Sequence, residues 1–232
     1  MLLLSLDTST FQGSAALIKD DQVLDEKISL HQKAHTEFMN VAIDEMLKSH
    51  RLSLQDLNAI ACGQGPGSFT GIRVATNIAK TLSYSLQIPI YSADTLMTLA
   101  QQSAKQFPKF SQIASLVNAH KNLVYFNLFS SKEGLVTPLF NPKALSISEI
   151  DSLVQNEVLA VGDAYEEFSK AWTPSLKTRF VRLAGLSDYP KASDLGLWVV
   201  ANHKKLKSDD WKSFLPLYIR ASEAEERIKI SE

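Results

Sequence analysis

Two stretches of this chain read in the same order, and that repetition constrains the fold more than any other feature. In the first, short apolar runs at 2–6, 14–18 and 23–30 are separated by the turn-prone Asp7-Thr8-Ser9-Thr10 and Lys19-Asp20-Asp21-Gln22, which predicts three consecutive antiparallel strands. A helix is expected next, capped by Thr36, with Met39, Ile43, Met46 and Leu47 recurring at helical spacing. An apolar strand at 57–62 leads through a glycine-rich loop to a helix over 72–86. A strand at 88–92 and a helix beginning at Asp94 follow. The second stretch predicts strands at 113–118, 123–129 and 136–140, a helix from Ser146 or Ser148 to 154, a strand at 158–161 and a helix over 165–172. A last amphipathic helix is expected over 192–206, apolar at Leu195, Val199 and Leu206.

Three antiparallel strands followed by α-β-α, run through twice, is the connectivity of a duplicated ribonuclease-H-like fold. The expected class is α/β, with two such subdomains, each a mixed sheet with flanking helices. The division falls between residues 1–108 and 109–232. At 45% hydrophobic and 21% charged over 232 residues, the chain has ordinary globular composition.

The formal charge is −1, which argues against a stand-alone nucleic-acid binder. The single cysteine, Cys62, excludes an internal disulfide and a multi-cysteine zinc site, and fits a reducing, cytoplasmic setting. The apolar start, Met1 to Leu6, has no basic residues before it and ends at Asp7. It is too short for a secretory core or a membrane span, and no partnership with a membrane is expected.

Several residue groups could carry chemistry. Asp7, leaving a buried strand, is placed to hold a metal or metal-bound water, and Thr8 and Ser9 could meet phosphate oxygens. An Asx turn opening the first hairpin accounts for the same residues. The loop Gly63-Gln64-Gly65-Pro66-Gly67-Ser68-Phe69-Thr70-Gly71 opens onto a helix, a geometry suited to anions. It is neither a Walker A element, since Ile72 follows Gly71, nor G-x-G-x-x-G, since Thr70 stands where the third glycine belongs. His31 and His35 lack a third ligand and read as a solvated pair, so no metal site is expected. Cys62 reads as a core residue.

The segments Leu-Ser-Leu-Asp-Thr-Ser-Thr at 4–10, Gly-Gln-Gly-Pro-Gly-Ser-Phe-Thr-Gly-Ile-Arg at 63–73 and Pro-Leu-Tyr-Ile-Arg at 216–220 resemble the TsaB (YeaZ) family. The resemblance implies the ASKHA, or actin-like ATPase, version of the duplicated fold. It also implies a subunit of the machinery that makes N6-threonylcarbamoyladenosine (t6A) at position 37 of ANN-decoding tRNAs. In that machinery TsaD transfers the threonylcarbamoyl group, TsaE is an ATPase, and TsaB is a non-catalytic partner that activates TsaD. No intrinsic cofactor is implied, though ATP or ADP could lodge at the partner interface, near Asp7, Thr8, Ser9, Gly65, Gly67 and Ser68. The helices at about 36–48 and 72–86 resemble surfaces that pack on TsaD or on a second copy. That makes Met39, Ile43, Ile72, Arg73, Ile78 and Leu82 candidates for core or interface. tRNA would be met only through the complex.

The His-x-x-x-His metal motif of TsaD has no counterpart, because the matching stretch is Ser92-Ala93-Asp94-Thr95-Leu96. Many relatives carry Asp-Ala-Arg where this chain has Asn118-Ala119-His120. Two alternatives stay open from the residues: an ATP-dependent kinase or hydrolase of the same fold using Asp7 with Mg²⁺, and a peptidase.

Overall fold

The computed structural model describes residues 1–30 and 35–220. The first half holds β1 (Leu2–Asp7), β2 (Gly13–Lys19), β3 (Gln22–Ser29), α1 (His35–Ser49), β4 (Ala59–Gly63), α2 (Phe69–Leu86), β5 (Ile90–Ala93) and α3 (Thr95–Gln106). The second holds β6 (Gln112–Asn118), β7 (Val124–Lys132), β8 (Leu135–Pro138), β9 (Lys143–Leu145), α4 (Ile147–Leu153), β10 (Val158–Val161), α5 (Ala164–Glu167), α6 (Pro174–Arg179), β11 (Phe180–Val181) and α7 (Ala192–Asn202).

The two sheets have the same plan. The first runs β3-β2-β1-β4-β5 and the second β8-β7-β6-β10-β11, with β9 added to β7. In each, the hairpin strands are antiparallel and the later strands parallel. The duplicated ribonuclease-H-like reading therefore holds, with β1 matching β6 and β4 matching β10.

Local chemistry sets the helix ends. Asp94 accepts the Met97 N–H at 2.7 Å and starts α3 as expected. Ser146 and Glu149 close a capping box on α4. Helix α2 begins at Phe69 rather than at residue 72, because Ser68 caps it by accepting the Gly71 N–H. Thr36 lies inside α1, whose first residue is His35, so it is not the cap. The helix expected over 165–172 is shorter, and α6, β9 and β11 were not anticipated.

The boundary at 108/109 separates the sheets but not the packed units. Helices α1 and α2 cover one face of the first sheet, through Met39, Met46 and Ala75 against Leu4, Leu6 and Ile60. The opposite face is covered by α7, whose Leu195 and Val199 pack on Leu3, Ile18 and Ala61. Reciprocally, Leu96, Leu99 and Ala100 of α3 pack on Ile113, Val117 and Phe129 of the second sheet. Each half thus takes one covering helix from the other. Residues after α7 return to the first half. Asp209 pairs with Ile90 at the β5 edge, and Phe214 is buried in the core beneath α1 and α2. Among the described residues no helix is long and apolar enough to cross a membrane.

Candidate functional site

Three segments distant in sequence meet at the carboxyl ends of β1 and β4: residues 7–10, 63–73 and 216–220. Their meeting is set by close backbone approach. A Cβ on Gly63 would lie 2.0 Å from Asp7 Oδ2, one on Gly67 1.9 Å from the Ser9 carbonyl oxygen, and one on Gly71 2.1 Å from the Thr8 carbonyl oxygen. Only glycine permits these contacts. Polar bonds fasten the same seam. The Ser68 N–H donates to the Ser9 carbonyl at 2.7 Å. The Thr8 hydroxyl donates to the Gly71 carbonyl at 2.7 Å and accepts the Ala75 N–H at 3.1 Å. The glycines of the loop therefore admit the chain's own β1–β2 turn.

Asp7 forms the expected Asx turn. Its Oδ1 accepts the Ser9 N–H at 2.8 Å and the Ser9 hydroxyl at 2.6 Å. Its Oδ2 is buried against Gly63 with no hydrogen-bond partner among the described residues. Burial without a countercharge raises its pKa to about 6, against the pull of the two Ser9 bonds. Cys62, fully buried beside it, has its thiol pushed well above the usual range by burial and by the Asp7 charge. It is an inert neutral thiol, as its sequence context suggests.

The second half repeats the turn. Asn118, at the end of β6, accepts the His120 N–H on Oδ1 at 2.8 Å, as Asp7 does from Ser9. Gly162 follows β10 as Gly63 ends β4, and a Cβ there would lie 2.0 Å from the Leu116 carbonyl oxygen. Asp163 then accepts the Asn118 N–H at 2.9 Å. Burial, reinforced by Asp188 and Glu167, lifts its pKa to about 6. Asp163 was missed in the sequence; its signal is the Gly162-Asp163 pair following an apolar strand.

Between the two turns lies a cleft of about 390 Å³. Ser9, Thr10 and Ser68 line one side. Asn118, His120, Asp163, Glu166, Glu167 and Asp188 line the other. These residues do not fit a nucleotide polyphosphate. The carboxylates repel it, and no Lys or Arg lines the cleft among the described residues. Arg182 is nearby but is paired with Asp188. No group of three His, Cys, Asp or Glu able to share a metal ion occurs among the described residues.

The segment 216–220 straps both halves together. The Leu217 N–H donates to the Gln64 carbonyl at 2.8 Å. Tyr218 stacks on Phe69 with ring centroids 4.5 Å apart. Arg220 donates to the carbonyls of Ala119 and His120.

A family model described as TsaD, tRNA N6-adenosine threonylcarbamoyltransferase, matches residues 25–228. The chain is 30% identical over 208 residues to the tRNA threonylcarbamoyladenosine biosynthesis protein TsaB of Buchnera aphidicola subsp. Schizaphis graminum, covering 88% of this chain and 95% of that one. The chain belongs to the TsaB (YeaZ) family. The TsaB of Bacillus subtilis is 28% identical over 97% of this chain and 96% of its own length. YeaZ from Pseudomonas aeruginosa shares the fold, with a TM-score of 0.82 at 24% identity, over 94% of this chain and 99% of that one.

In this TsaB-family chain the proposed partner residues divide by burial. Met39 and Ile72 are core, and Ile43 is nearly so. All three sit on the inward stripe of their helices, and they cannot also face a partner. Ile78 and Leu82 are half-buried against the same core, while Arg73 is exposed. Sequence periodicity missed the outward apolar residues, Val41 on α1 and Tyr84 on α2, at 50% and 58% exposure. His35 is not solvated; it is buried, with Nε2 3.3 Å from the Thr10 carbonyl. His31 and the acidic residues Glu223, Glu225 and Glu226 lie outside the described residues.

Proposed function

We propose that this chain is a non-catalytic subunit of the t6A machinery, binding and activating TsaD in an assembly that includes TsaE. The carrying observation is the closure of Gly63, Gly67 and Gly71 onto Asp7, Ser9 and Thr8. The loop is taken up by internal packing, which leaves less of it open to a ligand. Family membership supports the pathway, and the names of the relatives supply it.

In this reading α1 and α2 present the partner surface, with Arg73, Ile78 and Leu82 contributing. A second copy occupies that surface when TsaD is missing. The complex works in the cytoplasm and meets tRNA through its other subunits. The carboxylates of the cleft repel a polyphosphate, so ATP or ADP at the partner interface is not assigned to this chain's own residues.

The test is co-purification with TsaD from the same source, followed by nucleoside analysis of tRNA with and without this chain. Stable association and a loss of t6A on depletion are expected. Full t6A formation by TsaD and TsaE alone would overturn the proposal. So would magnesium-dependent ATP turnover by the pure chain that disappears in Asp7→Asn.

A further inference from the structure

Arg73 stands in the second turn of α2 with its guanidinium fixed from two sides. Its Cζ lies 4.0 Å from the centroid of the Phe69 ring, and its Nε donates to the Tyr218 hydroxyl at 3.0 Å. Tyr218 is itself stacked on Phe69 and tied down through the neighbouring Leu217–Gln64 bond. An arginine so held has already lost most of its rotamer freedom. The paired N–H groups of its two terminal nitrogens remain, in the planar fork that matches a carboxylate. Among the described residues no carboxylate lies within ion-pair reach of it.

The surroundings favour a protein over a nucleic acid as the source of that carboxylate. Tyr218 beside it is itself 40% exposed, and Leu215, just ahead of the strap, is 66% exposed. An aromatic and arginine anchor beside exposed apolar surface is the composition of an interface hot spot. The chain as a whole is slightly acidic, which disfavours a phosphate backbone.

We propose that Arg73 is a preorganised receptor for an Asp or Glu side chain of the protein partner, and that Tyr218 is the positioning residue that aims it. This rests on the docking function proposed above and specifies the chemistry of its contact.

The test is the affinity of the full-length chain for TsaD, measured by calorimetry at two salt concentrations. Arg73→Gln is expected to weaken binding at least tenfold and to flatten the salt dependence. Arg73→Lys is expected to recover little, because an ammonium cannot make the bidentate contact. Tyr218→Phe keeps the ring stack but frees Nε, and is expected to weaken binding about threefold with unchanged thermal stability. Arg73→Glu should be rescued by an acid-to-Arg exchange on the partner.

Wild-type binding with Arg73→Gln within twofold of it would overturn the inference while leaving the docking function standing. No binding by the wild type would overturn both. If removing residues 221–232 abolishes the effect of Arg73→Gln, the fork serves the chain's own acidic tail and the inference fails. If Arg73→Gln weakens only tRNA retention by the assembled complex, the ligand is phosphate and the inference again fails.

Discussion

Asp7 fills the space that a side chain at position 63 would need: its Oδ2 lies 2.0 Å from where a Cβ on Gly63 would stand. The pair seals the ends of β1 and β4 and leaves a carboxylate buried without a cation. The glycine and the acid are therefore one unit, and substitution at either site is felt at the other.

Gly67 is the most demanding glycine of the loop, because its obstacle is backbone and the nearest of all, the Ser9 carbonyl oxygen at 1.9 Å. Gly67→Ala is expected to destabilise the chain by about 2–4 kcal/mol in urea unfolding. Gly134→Ala, where the nearest atoms stand at 3.8 Å, is expected to cost about 1 kcal/mol, from its positive φ alone.

Asp7 gives stability a pH dependence of definite sign. Its carboxyl titrates near 6 when folded against 3.8 ordinarily, so the folded state holds the proton more tightly. That contribution is fully present below about pH 4, is lost as pH rises toward about 6, and is level above. Asp7→Asn is expected to flatten this part of the profile and to stabilise the chain at pH 8 by on the order of 2 kcal/mol. Denaturation midpoints from pH 4 to 8 read both effects.

Asn118 faces the same electrostatics in the second half. Asn118→Asp would place a second charge beside Asp163, already held near 6. A loss of about 1 kcal/mol is expected above pH 7 and little change at pH 5, where Asp163 is largely protonated. Unfolding curves at the two pH values decide it.

Phe214 ties the returning strap into the first core, with 1% of its surface exposed. Phe214→Ala is expected to cost about 3–5 kcal/mol. Hydrogen exchange should accelerate in β4, β5 and α2, while β6 and β7 keep their protection.

Much of this architecture was legible because it is local. The apolar run 158–161 coincides with β10, and Asp94 and Ser146 cap the helices that they precede. Strands β9 and β11 were not legible, since three and two residues carry no periodicity and exist by pairing with β7 and β10. The loop glycines were visible, but what they approach was not: a ligand and the chain's own Ser9 carbonyl make the same demand on position 67. The strap's sequence, 216–220, carried part of the resemblance, but where it docks had no local signal. Tyr218 and Leu217 acquire meaning only through Phe69, Arg73 and Gln64, well over a hundred residues earlier.

The exchange of α3 and α7 between halves also orders the birth of the molecule. While it is being synthesised, the amino-terminal sheet has one face, that of Leu3, Ile18 and Ala61, that lacks its main cover until α7 has left the ribosome. Neither half can be completed from its own residues. A nascent chain stalled before position 192 is expected to leave much of this aliphatic surface exposed.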